Sequence, residues 1–257
     1  MTNSMFRKGL ILGIIVLFIL AGVIPSTVGI KKEKTTIIFL KSGDYIQDLI
    51  DNASIGDTIY IPNGTYYENI IINKSISLLG ENKDTTIIDG NGNGTVVDIF
   101  ADEVTISGFT IRNGATGIYL RFSMCIITGN KITSNKVDGI CLLGSYTTIK
   151  KNDISSNGDF GIIIQDSVGF GGYISYSSGN IIFKNNFRNN SQDAGFEYIF
   201  GHFRTKLNIW MLNYWNEPHL LPKLILGKMK YIISGTWGFH IPWISIDWRP
   251  ALKPNDI

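Results

Sequence analysis

The chain has 257 residues, of which 44% are hydrophobic and 17% charged, and its formal net charge is +2. This composition excludes a disordered chain, and so small a charge gives no sign of a nucleic-acid partner. The sequence contains 44 isoleucines, 22 asparagines and 28 glycines. Isoleucine favours strands, whereas asparagine and glycine favour tight turns, so the composition predicts an all-β protein with many short strands.

The first segment, residues 1–29, has the parts of a secretory signal peptide. Arg7 and Lys8 precede an uncharged apolar run over residues 9–24, and small residues follow. The alternative is an uncleaved membrane anchor, although the run is shorter than the roughly 20 residues that span a bilayer. We therefore expect an extracellular, periplasmic or cell-surface protein that meets a membrane only if this segment is retained.

In an exported protein, Asn-x-Ser/Thr sequons can accept N-linked glycans and cysteines can form disulfides. Only two cysteines occur, which is too few for a disulfide scaffold, and neither has metal-ligand spacing. Five sequons fit the N-glycosylation acceptor pattern, although an asparagine-rich chain produces some by chance: Asn52, Asn63, Asn73, Asn93 and Asn189.

Residues 44–53 predict a short amphipathic helix. Tyr45, Ile46, Leu49 and Ile50 fall on one helical face, and Asp44 is placed to cap its amino terminus. We expect this helix to cover the first coil of the domain that follows.

An internal repeat of 22 residues dominates the middle of the chain. Asn130, Ile132 and Gly139 recur 22 residues later as Asn152, Ile154 and Gly161, with further copies upstream and downstream. Each unit holds two or three strands too short to bury their own apolar face, so stacked units must share a continuous isoleucine core. The pattern predicts a parallel β-helix, a solenoid, over residues 30–207. One asparagine per coil predicts a side-chain ladder at Asn130, Asn152 and Asn185.

The last segment, residues 208–257, predicts an aromatic-rich cap. It holds all five tryptophans and five of the seven prolines. The favoured interpretation is a cover for the last coil, and the alternatives are a sugar-stacking or membrane-interface patch. Histidine and methionine in this third of the chain suit copper, but their spacing is wide, so we assign no cofactor. The weak metal candidates are His202, His219 and His240, with Met211 and Met229.

Several motifs resemble the opening of NosD-like right-handed β-helix proteins. They are Gly56-Asp57-Thr58-Ile59, the segments 64–68 and 74–80, and Thr85-Thr86-Ile87-Ile88-Asp89-Gly90. The element Asn213-Tyr214-Trp215-Asn216 is similar to a motif that closes many exported members. The resemblance covers residues 40–216 and implies a right-handed parallel β-helix. It does not imply one activity, because the same repeat occurs in lyases, hydrolases, surface proteins and copper-site accessory proteins.

The outward face of the repeat offers few groups for catalysis. Its predicted central strip, Tyr119, Cys141 and Ile163, is mostly apolar. We expect the inserted loop over residues 168–176 to cover it, with the tryptophan tail as the second candidate and a partner or a glycan as the third. At its margin Asp138, Asp159 and Arg121 are candidates for glycoside hydrolysis or elimination, and the alternative for both aspartates is a turn role. Tyr119, Arg121 and Asp138 are candidates for ligand binding.

Three functional hypotheses follow. The leading one is an exported, non-catalytic β-helix surface protein that binds a glycan or a surface partner. The second is a polysaccharide lyase or glycoside hydrolase that uses the marginal carboxylates. The third is a NosD-like copper-site accessory protein, which requires histidine and methionine in one pocket.

Overall fold

A computed structural model describes residues 36–41, 43–169, 173–199, 207–234 and 237–257, with side chains described outside residues 231–239. The predicted signal peptide lies outside the described residues. Within the described ranges, no helix combines the length and apolar character needed to cross a membrane.

Short parallel strands stack into three sheets that wind around one axis. Sheet 1 contains β1 (Ile37–Phe39), β2 (Thr58–Ile61), β5 (Ser77–Gly80), β8 (Thr105–Ser107), β11 (Ile126–Thr128), β14 (Thr148–Lys150), β19 (Ile181–Phe183) and β22 (Ile209–Met211). Sheet 2 contains β3 (Gly64–Tyr67), β6 (Thr86–Asp89), β9 (Thr110–Arg112), β12 (Lys131–Thr133), β15 (Asp153–Ser155), β20 (Asn186–Arg188) and β23 (Tyr214–Trp215). Sheet 3 contains β4 (Ile70–Ile72), β7 (Thr95–Ile99), β10 (Thr116–Leu120), β13 (Ile140–Leu142), β16 (Phe160–Gln165) and β21 (Gln192–Ile199).

The chain visits the three sheets in the same order on every turn, so the predicted parallel β-helix is confirmed. The 22-residue offset sets the register, because Ile118 pairs with Ile140 and Ile140 pairs with Ile162. The 11-residue insertion before β19 forms a separate antiparallel pair, β17 (Ser167–Val168) with β18 (Ile174–Ser175). The insertion therefore leaves the register of the coils intact.

The core consists of aligned apolar rows, one or two from each sheet. In sheet 2 the row runs through Ile88, Ile111, Ile132 and Ile154 to Phe187. All five side chains are fully buried. Like side chains stack on like side chains about 4.8 Å apart, which packs β-branched residues efficiently.

Helix α1 (Ile46–Asn52) closes the first end, as predicted, and buries Ile46 and Ile50. The expectation that Asp44 caps it is wrong. Glu68, from the coil below, accepts the backbone N–H groups of Ile46 and Gln47 at 3.0 and 3.1 Å. The acceptor comes from a residue that is distant in sequence, and Tyr45, predicted on the buried face, is 62% exposed.

Gln47 protects the free edge of sheet 3. Its side-chain oxygen accepts the backbone N–H of Ile71 at 2.7 Å, and its amide donates to the Ile71 carbonyl at 3.2 Å. One side chain thus replaces the neighbouring strand that β4 lacks. An edge without such a partner invites pairing with another chain.

The other end is closed by a long antiparallel hairpin, β24 (Lys223–Ser234) and β25 (Trp237–Asp247). Strand β24 pairs with β21 of sheet 3, and β25 pairs with β22 of sheet 1 at Trp210 and Asp247. Trp210 and Trp215 are buried beneath it, and Trp215 stacks on Phe187 with a centroid distance of 4.5 Å. The aromatic cap is confirmed for these two tryptophans, whereas Trp243 and Trp248 are 49% and 70% exposed.

The asparagines predicted to form a ladder do so. Asn130, Asn152 and Asn185 are fully buried. The Oδ1 atom of Asn152 accepts the backbone N–H and the side-chain amide of Asn130 at 3.0 and 3.2 Å. Asn185 accepts both groups of Asn152 at 3.0 Å, and the Asn152 amide also donates to Ile127 at 2.9 Å. The ladder therefore satisfies buried donors at one corner of each coil.

Candidate functional site

A cluster of aromatic and charged side chains occupies the outer face of sheet 3. The Arg121 guanidinium lies over the rings of Tyr119 and Phe100, 4.2 and 4.6 Å from their centroids. Its Nε atom lies 3.4 Å from Oδ1 of Asp98, whose strand pairs with that of Tyr119. Because Arg121 is held on two sides, it presents a fixed planar donor group to solvent. We call Asp98, Phe100, Tyr119 and Arg121 the arginine platform.

Asp138 and Asp159 lie farther along the same face, on consecutive coils. Burial raises the pKa of Asp138 to about 6, and the neighbouring carboxylates of Asp159 and Glu197 also raise it. The backbone N–H of Phe160 donates to Oδ1 of Asp138 at 3.1 Å, which opposes the shift. The alternative interpretation was that Asp138 stabilises its own turn. The structure agrees with it only in part, because the side chain accepts a backbone N–H group of the next coil instead.

A shallow cleft of about 340 Å³ lies beside Asp159 and is lined in part by Asp159, Phe160 and Glu197, whereas Asp138 does not line it. Lys228 of the hairpin also lines it and lies 3.8 Å from a Glu197 oxygen. A carboxyl group whose pKa is raised towards neutral pH, as at Asp138, is suited to general acid–base chemistry.

The predicted apolar strip is present, and two of its three side chains are buried. Cys141 and Ile163 are only 3% and 2% exposed. The Cys141 thiol lies 3.4 Å from Oε1 of Gln165, and burial raises its pKa to about 12. The inserted loop does not cover the strip with its described residues, since Val168 and Tyr173 are 53% and 80% exposed.

The loop is anchored elsewhere. The carbonyl oxygen of Tyr176 accepts a hydrogen bond from the Ser145 hydroxyl at 2.7 Å, at the corner between β13 and β14. The described loop residues therefore do not cover the strip, whereas Leu226, Gly227 and Lys228 of the hairpin line one cleft together with Ile163.

An aromatic cleft lies at the hairpin end, in the segment for which a sugar-stacking patch was an alternative to the cap. It has a volume of about 340 Å³ and is lined by Tyr198, Trp210, Trp243, Trp248 and seven other residues. The Nε1 atom of Trp210 is buried and has no hydrogen-bond partner among the described residues. The sequence showed that this segment is rich in tryptophan. It did not show that a cleft forms between the hairpin and the last coil.

The weak metal candidates do not converge where they are described. His202 lies outside the described residues. His240 is exposed and neighbours Lys230 across the hairpin, whereas Met229 is 4% exposed and lines the aromatic cleft. In the described part of the chain, no group of three or more His, Cys, Asp or Glu side chains is placed to hold a metal ion.

Residues 96–209 match the family model described as the right handed beta helix region. This segment is a right-handed β-helix. The resemblance drawn from the sequence motifs to right-handed β-helix proteins is thereby confirmed, and the matched segment carries the arginine platform, Asp138 and Asp159.

Two known proteins are similar to the β-helix. A cell surface glycoprotein of Methanothermus fervidus is 33% identical over 137 residues, which are 52% of this chain and 22% of that relative. The alginate lyase from Paenibacillus sp. str. FPU-7 superposes with a TM-score of 0.51 at 13% identity, covering 71% of this chain and 88% of that chain. At that identity the structural similarity shows the fold alone.

Sequence reasoning missed Asp98 and Phe100 of the platform. Tyr119 pairs with Asp98 and Ile118 pairs with Val97, so β7 belongs to the same stack of strands as β10. The signal was available, because the 21-residue offset between those positions is close to the repeat, but the repeat was traced only from residue 106.

Proposed function

We propose that this protein is a β-helix protein of the cell surface that binds glycan through the outer face of sheet 3. Its similarity to a cell surface glycoprotein supports the location. The arginine platform supports the ligand class and is the single observation on which the binding proposal rests.

The platform combines the two kinds of group that sugars require. The rings of Tyr119 and Phe100 offer apolar faces, and Arg121 offers several N–H donors in a fixed plane. Asp98 holds the guanidinium, so little side-chain entropy is lost when a hydroxyl or carboxylate group binds.

Glycan-array binding of the exported protein tests the proposal. Tyr119→Ala and Arg121→Ala are each expected to weaken binding at least about tenfold, the effect of losing about 1.4 kcal/mol. Tyr67→Ala is the matched control, because Tyr67 is 68% exposed on sheet 2, away from the platform. Unchanged binding by the Tyr119 variant, or no binding of the native protein to acidic or neutral glycans, would contradict the proposal.

A second candidate function is supported by Asp138. Its raised pKa and its position beside Asp159 and Glu197 suit a general acid in glycoside hydrolysis or polysaccharide elimination. The assay is the release of reducing ends or unsaturated uronates from polysaccharides. Activity that Asp138→Asn abolishes would support the enzyme, and the absence of product from every polysaccharide tested would exclude it for those substrates.

A further inference from the structure

Three of the five sequons ring the amino-terminal end of the β-helix. Asn63 lies at the corner between β2 and β3, Asn73 follows β4, and Asn93 lies at the corner between β6 and β7. The first two coils thus carry one sequon at each of the three kinds of corner. All three asparagines are exposed.

The nitrogen atom that accepts a sugar is free at each of these corners. Among the described residues, the side chains of Asn73 and Asn93 have no hydrogen-bond partner, and Asn63 uses only its oxygen, which accepts the Thr85 and Thr86 hydroxyls. Asn52 differs, because its Nδ2 atom donates to the Asp48 carbonyl at 2.8 Å within helix α1.

Asn189 is also set apart from the ring. It lies in the corner after β20, several coils farther along the axis. The next residue, Asn190, is committed to a second ladder, where its oxygen accepts the Asn157 amide at 2.9 Å. The sequon at Asn52 is therefore built into a helix, whereas Asn189 is itself exposed and is set apart only by its distance from the ring.

We propose that Asn63, Asn73 and Asn93 carry N-linked glycans that form a collar around the first two coils. This rests on the surface location proposed above. The donor is a lipid-phosphate-linked sugar. The Nδ2 atom attacks its anomeric carbon, a C–N bond forms, the C–O bond to the phosphate breaks, and the amide proton passes to a base of the transferase. The lipid phosphate leaves with the electron pair.

The collar would shield the edge strands at this end of the solenoid from pairing with other chains. The edge strands β1 and β3 expose Phe39 and Tyr67 by 60% and 68%. Exposed apolar edge strands pair readily with other chains, and bulky hydrophilic sugars beside them hinder that pairing. The aromatic hairpin end lies at the opposite end of the solenoid from these three asparagines.

The experiment is glycopeptide mass spectrometry of the full-length protein from a host that N-glycosylates exported proteins. Sugar is expected on Asn63, Asn73 and Asn93, with Asn52 unmodified. Thr65→Ala and Thr95→Ala remove the sequon hydroxyl and should abolish modification at Asn63 and Asn93. The matched variants Thr65→Ser and Thr95→Ser should retain it.

Exported protein that is unmodified at all three asparagines, or modified only at Asn52 or Asn189, would overturn the collar. That result would leave the arginine platform untouched, since glycan binding by unmodified protein is measured separately. Conversely, a collar on a protein that binds no glycan would contradict the proposed binding function and support this inference.

Discussion

Asp247 ends the asparagine ladder by accepting both polar groups of Asn213. Its Oδ2 atom accepts the Asn213 backbone N–H at 3.2 Å and the Asn213 amide at 3.1 Å. The same oxygen accepts the indole N–H of Trp215 at 3.1 Å, and the Asp247 side chain is fully buried. The ladder thus runs from Asn130 to a residue of the hairpin. The hairpin therefore completes the hydrogen bonding of the last coil as well as covering it.

Replacing Asp247 by alanine is expected to destabilise the protein by at least about 3 kcal/mol, because three buried donors lose their acceptor at about 1–3 kcal/mol each. Asp247→Asn retains an acceptor oxygen and should cost less, about 1 kcal/mol. Urea unfolding measures both, with the exposed Asp256→Ala as control. Equal stability of the alanine variant and the native protein would show that the hairpin does not contribute to the stability of the coil.

Within the ladder, Asn152→Leu is expected to lower the free energy of unfolding by about 1–3 kcal/mol or more, because the Asn130 donors lose their acceptor. Asn73→Leu is the matched control, since Asn73 is exposed and lies outside the ladder. Thermal unfolding of the unglycosylated proteins gives the comparison. A loss of the same size in the control would assign the effect to the leucine rather than to the ladder.

Asp138 is expected to make stability depend on pH. Its pKa is about 6 in the folded protein and about 3.9 in the unfolded chain. Between these values the folded state holds more protons, so the free energy of unfolding falls as the pH rises from about 4 to about 6. Allowing for solvent screening of a partly exposed group, the loss is about 1–2 kcal/mol.

Asp138→Asn removes that titration and keeps an oxygen for the Phe160 N–H. The variant should be more stable than the native protein by about 1–2 kcal/mol at pH 7.5 and equal to it below pH 4. Urea unfolding across this range gives the test. A gain of the same size at pH 3.5 would mean that the carboxylate charge is not the cause.

Gly144 is expected to tolerate no side chain. A Cβ atom there would overlap the carbonyl oxygen of Phe122 on the neighbouring coil. Gly144→Ala should therefore cost about 1–3 kcal/mol or more through backbone displacement. Gly169→Ala is the control, because among the described residues its Cβ would meet only the Tyr173 carbonyl oxygen, 3.6 Å away. Thermal unfolding should separate the two variants clearly, and equal midpoints would contradict the close approach.

The sequence by itself determined the β-helix, because a fixed offset of 22 residues places like side chains above one another. Ile118, Ile140 and Ile162 align for that reason, and so do Asn130 and Asn152. The same offset contains a second ladder, through Asn135, Asn157 and Asn190, which was visible as a repeat but not interpreted as a ladder.

Only the tertiary structure decided the contacts that do not follow from the 22-residue repeat. Glu68 caps helix α1 from the coil below, and Asp247 reaches the ladder from a hairpin 34 residues after Asn213. Arg121 finds Asp98 and Phe100 only when β7 and β10 are paired. A repeat fixes which residues stack within the solenoid. The ends and outer clusters depend instead on side-chain reach and on unique segments, and their geometry appears only once the coils are stacked.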